Sequence, residues 1–262
     1  MMPVIPLDFL DLALALALMG GAIALSLWQR LDLSQNLLIA TGRAILQLMA
    51  AGAILDLVFA LNQPWSVVAI ALAMLTIAAI TAHNQIDTPG FNLLPTLWLS
   101  LFASTALTLS YALIVIIQPP TWYSPQYFIP LAGMVLGNAM NAATIAGERL
   151  LTMVRRNPVE ILTHLSLGAT PQQAIATYRR DAIRASLLPL INRMTVVGLV
   201  TLPGMFTGQV LGGSPPLEAA SYQLLILFMV ACAEAMAAIA ITLGMSRHLF
   251  NAQSQLILLD PH

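Results

Sequence analysis

The chain has 262 residues, of which 59% are hydrophobic and 8% charged, and its formal net charge is −1. Globular domains carry about 25% charged residues, so this composition excludes a soluble domain and indicates a protein whose solvent is largely lipid. The single cysteine, Cys232, excludes an intrachain disulfide and any metal site built from a cluster of cysteines.

Lysine is absent from the chain, and arginine is its only strongly basic residue. A Walker A loop requires a lysine at the nucleotide phosphates, so this chain has no such loop. Its one long polar segment, 147–190, is also too short to form a separate ATPase domain. If ATP drives this protein, a second polypeptide must bind the ATP.

Long apolar stretches predict an all-α, polytopic integral membrane protein, with one transmembrane permease domain over 1–262. Crossing a bilayer takes about 20 mostly apolar residues as a helix. Two of the candidate stretches carry polar residues, Arg43 and Asp56 in one, Asn138 and Asn141 in the other. The sequence predicts about seven spans, at 9–28, 37–61, 65–82, 92–117, 127–146, 192–211 and 220–245.

The distribution of arginine predicts the orientation, because positively charged loops stay on the cytoplasmic side. With 147–190 inside, every arginine of the chain falls at or near that side. The predicted topology in the inner (plasma) membrane therefore has the N-terminus outside and the C-terminus in the cytoplasm. The outer segments, none of which contains arginine, are 1–8, 62–64, 118–126 and 212–219.

Within the polar segment, Gly168 is placed to end one helix and Thr170 to cap the next. Pro171 suits a first helical position, and Gln173 closes a capping box with Thr170. The helix that follows has an apolar face, with its arginines on the other side. Two readings stay open: a docking surface for a cytoplasmic partner, or a helix held on the membrane surface by anionic lipid.

The polar segment is similar in layout to the cytoplasmic coupling region of ABC-transporter membrane subunits. The chain as a whole resembles the FetB-type permeases, a family of iron exporters with plant relatives linked to aluminium tolerance. The resemblance is carried by five segments in order along the chain: 42–48 (GRAILQL), 130–140 (PLAGMVLGNAM), 165–171 (LSLGATP), 180–189 (RDAIRASLLP) and 197–208 (VGLVTLPGMFTG).

This resemblance implies a transport subunit rather than an enzyme. It implies a permease that pairs with itself and with two copies of a separate ATPase, which binds the ATP and Mg²⁺, and it implies export of a metal ion, iron being the best-known case. An acid at Glu234 departs from the small or hydroxyl residues expected there. The residues expected to contact the ATPase are Gly168, Ala169, Thr170, Pro171, Gln173, Arg180 and Arg184.

Polar and sulfur-bearing residues in the last three predicted spans indicate a translocation path. Pro203 and Gly204 are expected to break the predicted span 192–211, because proline lacks a backbone donor. Interrupted helices often build transport sites, and an ionisable group inside a membrane usually faces a cavity or a partner. The same residues also fit plain packing, with Gly133 and Gly137 for close helix contact and methionine as a gap-filler. The candidate path residues are Met134, Asn138, Asn141, Pro203, Gly204, Met205, Gln209 and Glu234.

The candidate path residues do not determine which metal is carried, because sulfur ligands suit soft ions and amide oxygens suit harder ones. Three rival functions stay open: a secondary transporter or channel without an ATPase, an intramembrane enzyme, and a membrane anchor for a soluble partner. Nucleic-acid binding is not expected, because arginine gathers only on a short loop between membrane spans.

Overall fold

The computed structural model describes residues 8–61, 63–86, 92–251, 253 and 255–257, with only the backbone of Phe9. This part of the chain is built from helices, and the last turns of α4 continue as a π-helix over Ala112–Ile117. The α-helices are α1 (Phe9–Trp28), α2 (Ser34–Leu61), α3 (Pro64–Gln85), α4 (Leu94–Tyr111), α5 (Pro125–Arg156), α6 (Pro158–Ser166), α7 (Pro171–Ala174), α8 (Ala176–Val196), α9 (Gly204–Leu211) and α10 (Pro216–His248).

Six of the helices in the described residues are long and apolar enough to cross a membrane, which confirms the predicted all-α polytopic fold. Proline stands in the first turn of several helices, including α3, α5 and α10. Proline fits there because the first N–H groups of a helix have no intrahelical acceptor. The six helices cover Leu10–Trp28, Ser34–Leu61, Pro64–Gln85, Leu94–Ile117, Pro125–Arg156 and Pro216–His248.

The segment 192–211, predicted as one span, is two helices joined by a tight turn. Helix α8 ends at Val196 and α9 begins at Gly204. Gly198 takes a φ of 80°, and its N–H donates to the carbonyl of Thr201 at 2.9 Å. Such a positive φ is readily reached only by glycine. The interruption therefore starts at Val197, well before Pro203, which the sequence identified as the break.

The chain forms two compact units. The smaller comprises Met1–Asn62 and Leu211–Ser214. In it α1 packs against α2, and a capping box between Asp8 and Asp11 begins α1. Most described side chains of α1 and α2 are exposed although both helices are strongly apolar. Such surfaces suit hydrocarbon as a solvent, since lipid tails are as apolar as leucine.

The larger unit comprises Gln63–Val210 and Pro215–His262 and is organised around α5. Helices α3, α4, α8 and α10 all pack against α5, and α10 also packs against α4 and α8. Fully buried residues such as Val135, Leu150 and Ile241 form its core. At Gly147 a Cβ would lie 2.7 Å from Cδ1 of Ile86, so a larger residue would require the buried Ile86 side chain to shift. The functional side chains described below come from α5, α8 and α10.

Candidate functional site

The turn between α6 and α7 has the geometry that its sequence predicts. Gly168 follows the end of α6 with a φ of 91°, the left-handed region that favours glycine. The N–H of Thr170 donates to Oε1 of Gln173 at 2.9 Å, and the N–H of Gln173 donates to Oγ1 of Thr170 at 3.4 Å. Pro171 occupies the first helical position. This reciprocal pair is a capping box, and it confirms the predicted start of the helix.

The helix after the box, α8, has the predicted two-sided character but is longer than a surface helix. Ile175 just before it and Ala182 within it are fully buried, whereas Arg180 and Arg184 are exposed. The sequence predicted an amphipathic helix lying along the membrane surface. In the structure α8 continues to Val196 and packs against both α5 and α10. From the capping box the chain therefore runs through α7, a break at Ile175 and then α8, which reaches the core of the larger unit.

An acidic residue of α6 influences the first turn of α8. Burial and the neighbouring Glu160 carboxylate raise the pKa of Tyr178 to about 12. Burial disfavours the phenolate, and a nearby negative charge disfavours it further. Glu160 also lies 3.9 Å from Nε2 of His164, one turn along α6, and both of those side chains are exposed. Helix α6 and the start of α8 are thus electrostatically linked.

Three side chains from three helices meet inside the larger unit, and we call them the Arg193 cluster: Arg193 of α8, Asn138 of α5 and Glu234 of α10. Nη1 of Arg193 donates to Oδ1 of Asn138 at 2.8 Å, and Nη2 donates to Oε1 of Glu234 at 2.7 Å. Nδ2 of Asn138 donates to the carbonyl of Met134 at 2.7 Å. The amide of Asn138 is therefore oriented by α5 itself, with its oxygen toward the guanidinium.

The two charged members of the Arg193 cluster are buried to very different degrees. The side chain of Glu234 is 4% exposed, whereas that of Arg193 is 54% exposed. A carboxylate this deeply buried is stable only if it is paired and hydrogen-bonded. Arg193 supplies that partner, while more than half of its own side chain remains exposed.

Two cavities lie on opposite sides of the Arg193 cluster along the helices. The first, the polar cavity, has a volume of about 380 Å³ and is lined by the whole cluster together with Asn141 and Ser186. The second, the Pro203 cavity, has a volume of about 500 Å³ and is lined by Asn138 and Arg193 but not by Glu234. On α5 the first extends toward the C-terminal end, and the second toward Met134, N-terminal to Asn138. The cluster therefore separates two solvent-sized spaces.

Most of the predicted path residues come together around these cavities. Gln209 is the exception: it lies on α9, as Gly204 and Met205 do, but it is outside the described lining of both cavities. The oxygen atom of its side chain is buried and has no hydrogen-bond partner among the described residues. The predicted residues that line a cavity are Met134, Asn138, Asn141, Pro203, Gly204, Met205 and Glu234.

The sequence analysis missed Arg193, the residue that joins the cluster. It grouped Arg193 with the cytoplasmic arginines near the inner end of a span. Its position inside the predicted span 192–211 could have identified it, because ionisable residues within a membrane usually mark a pathway or a partner. Its separation of 41 residues from Glu234 and 55 from Asn138 leaves no local spacing pattern.

The chemistry of the site is that of oxygen ligands around a single carboxylate. Within the residues that the structure describes, no three of histidine, cysteine, aspartate and glutamate gather to hold a metal ion. Amide, hydroxyl and carboxylate oxygens do line the polar cavity, from Gln85, Asn141, Ser186 and Glu234. Such oxygens suit hard cations in transit better than a permanent metal centre.

Long apolar helices, with a charged cluster between two cavities, are features of membrane transport permeases. Comparison with known proteins agrees, since the profile described as "Uncharacterised protein family (UPF0014)" matches residues 9–250. The chain belongs to the UPF0014 family of membrane proteins. The resemblance to FetB-type permeases is thereby confirmed.

Three relatives cover nearly all of the chain. It is 56% identical to the UPF0014 membrane protein slr1647 of Synechocystis sp., over 97% of this chain and 98% of the relative. It is 32% identical to the probable iron export permease protein FetB of Escherichia coli, over 94% of each. It is 32% identical to the protein ALUMINUM SENSITIVE 3 of Arabidopsis thaliana, over 88% of this chain and 83% of the relative. No solved structure matches the chain.

Proposed function

We propose that this chain is the membrane-spanning subunit of an ABC-type exporter that moves a metal cation, with iron as the first candidate, out of the cell. Two copies pair in the inner membrane, N-termini outside and C-termini in the cytoplasm, and a separate ATPase binds the ATP and Mg²⁺. One observation carries the proposal: α7, which starts at the capping box, is followed after Ile175 by α8, which carries Arg193 of the cluster. A partner that moves the box would therefore act on the cavities through these two consecutive helices.

The capping box and the turn before it suit a docking role. Gly168, Ala169, Thr170, Pro171 and Gln173 form a structured turn held by its own hydrogen bonds. Two exposed arginines, Arg180 and Arg184, follow on α8 and supply positive charge. Because the chain has no lysine, it has no Walker A loop, which supports binding of the ATP by a separate subunit.

The lining of the cavities supports a cation as the cargo. Oxygen atoms are the ligands that Fe²⁺, Mn²⁺ and Mg²⁺ accept when they lose water, and the polar cavity offers them. The name of the Escherichia coli relative, a probable iron export permease, makes iron the first ion to test.

A second function, an ion-coupled secondary transporter, is favoured by one observation. Glu234 is a buried acid within a candidate membrane span, and such acids serve as proton relays in carriers. The two functions differ in their energy source, which is either ATP or an ion gradient.

The test uses inverted membrane vesicles, in which export appears as uptake. Vesicles from cells that produce the chain with its ATPase should accumulate ⁵⁵Fe²⁺ when ATP is present, and vanadate should stop the uptake. Asn138→Leu removes an oxygen ligand at nearly constant volume and should abolish uptake while the complex still assembles. Uptake that needs no ATP and collapses with a protonophore would instead establish the carrier, and transport at the wild-type rate by Asn138→Leu would remove the path proposed here.

A further inference from the structure

We propose that the Arg193 guanidinium occupies the cation-binding site of this protein as a tethered substitute for the cargo. Oε1 of Glu234 and Oδ1 of Asn138 are the ligands, and Arg193 must withdraw before a divalent cation binds. The inference rests on the proposed function, from which it takes the cargo, a divalent metal ion. It adds where that ion binds and that Arg193 must leave first.

The geometry of the Arg193 cluster supports one shared site. The oxygens of Asn138 and Glu234 contact the two terminal nitrogens of a single guanidinium, at 2.8 and 2.7 Å. Because these nitrogens belong to one small planar group, both oxygens lie within hydrogen-bond reach of a single cation, one from α5 and the other from α10. A metal ion that replaces the guanidinium would draw both oxygens to about 2.0 to 2.6 Å.

The two ligand oxygens stay in place when the guanidinium leaves. Asn138 is held by the bond from its Nδ2 to the carbonyl of Met134, which does not involve Arg193. The guanidinium only donates hydrogen bonds, so Asn138 presents its oxygen to it, and the bond to Met134 keeps that orientation after the guanidinium leaves. Glu234 borders the polar cavity but is only 4% exposed, so its carboxylate requires another positive partner.

Arg193, in contrast, has space to withdraw. More than half of its side chain is exposed, and it lines both the polar cavity and the Pro203 cavity. Oxygens of Asn141 and Ser186 line the polar cavity, where they and water would complete the shell of an incoming ion. One carboxylate and neutral oxygens give a weak site, which is what a transported ion needs in order to leave.

The experiment measures Mn²⁺ binding to the purified full-length chain in detergent, from the loss of the free-ion EPR signal. Arg193→Met removes the competing charge, whereas Arg193→Lys keeps a positive charge near Glu234 but loses the planar fork that holds both oxygens. We expect Mn²⁺ to bind at least tenfold more tightly to Arg193→Met than to the wild type, and more tightly by a smaller factor to Arg193→Lys. Adding Glu234→Gln to either variant should remove the gain.

The matched control is Arg179→Lys, the same substitution about four turns earlier on α8. It should bind Mn²⁺ as the wild type does. If Arg193→Met is poorly folded, Arg193→Lys still decides the question, because it preserves a cation for folding but loses the fork and must therefore still raise the Mn²⁺ affinity above that of the wild type.

Two results would overturn the inference: equal Mn²⁺ affinity in the wild type and both Arg193 variants, or a gain that persists after Glu234→Gln. The measurement uses neither ATP nor the ATPase. A gain in Mn²⁺ binding without ATP-driven transport in vesicles would thus reject the exporter and keep the site. ATP-driven transport without the gain would reject the site and keep the exporter.

Discussion

Arg193 and Glu234 form an ion pair of 2.7 Å in which the acid is buried and the base is half exposed. The two partners therefore have unequal alternatives when the pair is broken. Arg193 can be solvated from both cavities, whereas Glu234 borders only the polar cavity and is 4% exposed.

This asymmetry predicts unequal costs for the two single substitutions. Arg193→Met leaves a buried carboxylate without a partner and should lower the free energy of unfolding by about 3 kcal/mol. Glu234→Gln keeps a hydrogen-bond acceptor for the guanidinium and should cost about 1 kcal/mol. SDS-induced unfolding in mixed micelles measures both, and a larger cost for Glu234→Gln would contradict the burial described here.

Two glycines of α5 predict opposite responses to the same substitution. A Cβ at Gly147 would meet Cδ1 of Ile86 at 2.7 Å and Sδ of Met245 at 3.3 Å, both on buried residues. Gly147→Ala should destabilise the fold by about 1 kcal/mol, because overpacking outweighs the gain in helix propensity. At Gly137 a Cβ meets no described atom within 4 Å, so Gly137→Ala is the matched control and should be neutral or stabilising. Thermal unfolding in detergent compares the two, and equal midpoints would show that α5 does not approach Ile86 so closely.

The conformation of Gly168 predicts a difference between two substitutions of similar size. A Cβ there meets nothing within 4 Å, so any cost comes from the positive φ alone. Gly168→Val should destabilise the turn by about 1–2 kcal/mol, whereas asparagine tolerates the left-handed region and should cost less. Hydrogen exchange over 160–178 should accelerate in the valine variant, chiefly at the amides of Gly168 and Ala169, which bond to α6. If this turn docks the ATPase, stimulation of ATP hydrolysis should fall with valine and recover with asparagine.

The pKa of Tyr178 predicts how stability depends on pH in the alkaline range. The folded value is about 12 and the ordinary value is 10.0, so the folded state holds its proton over a range in which the unfolded state loses it. Stability from this group is therefore complete below pH 10 and is lost as the pH rises from 10 toward 12. The absorbance difference at 295 nm between the wild type and Tyr178→Phe should titrate near 12. Glu160→Gln should move that titration downward, and no movement would show that the carboxylate does not act on the phenol.

The arginine distribution predicts which loops face outward. On a Cys232→Ser background, Ser214→Cys should react with an impermeant maleimide in intact cells. Arg180→Cys should react only after the cells are permeabilised. Both positions are exposed, so a difference in labelling reports the side of the membrane and not the burial of the thiol. Labelling of position 180 in intact cells would reverse the topology and place the capping box outside the reach of any cytoplasmic ATPase.

Features encoded within a few residues were predictable from the sequence. The helices follow from apolar length, and the turn at Gly168, Thr170 and Gln173 follows from capping chemistry within six positions. The predicted break near Pro203 was displaced, because 196–202 reads as a continuing apolar helix while Gly198 reverses the chain. Periodicity identifies the face of a helix but not its partner.

For the same reason, two of the three residues of the Arg193 cluster could be predicted, but their contact with Arg193 could not. Asn138 and Glu234 stand out as polar residues in apolar helices, so the sequence analysis identified both. Their joint contact with Arg193 depends on how α5, α8 and α10 pack, which no spacing along the chain encodes.

Pro189 lies within α8, between the capping box and Arg193, and it lines the polar cavity. Since proline has no N–H, the carbonyl of Ala185 lacks its usual helical donor, and the helix is weakest against bending at this point. The residues before Pro189 and the two turns after it thus form two stiff arms joined by a hinge. With a rise of 1.5 Å per residue, a bend of about ten degrees displaces the backbone of Arg193 by roughly 1 Å. A displacement of that size directed along the contact of 2.7 Å between Arg193 and Glu234 takes it out of hydrogen-bond range, so a bend at one proline in that direction favours release of the guanidinium.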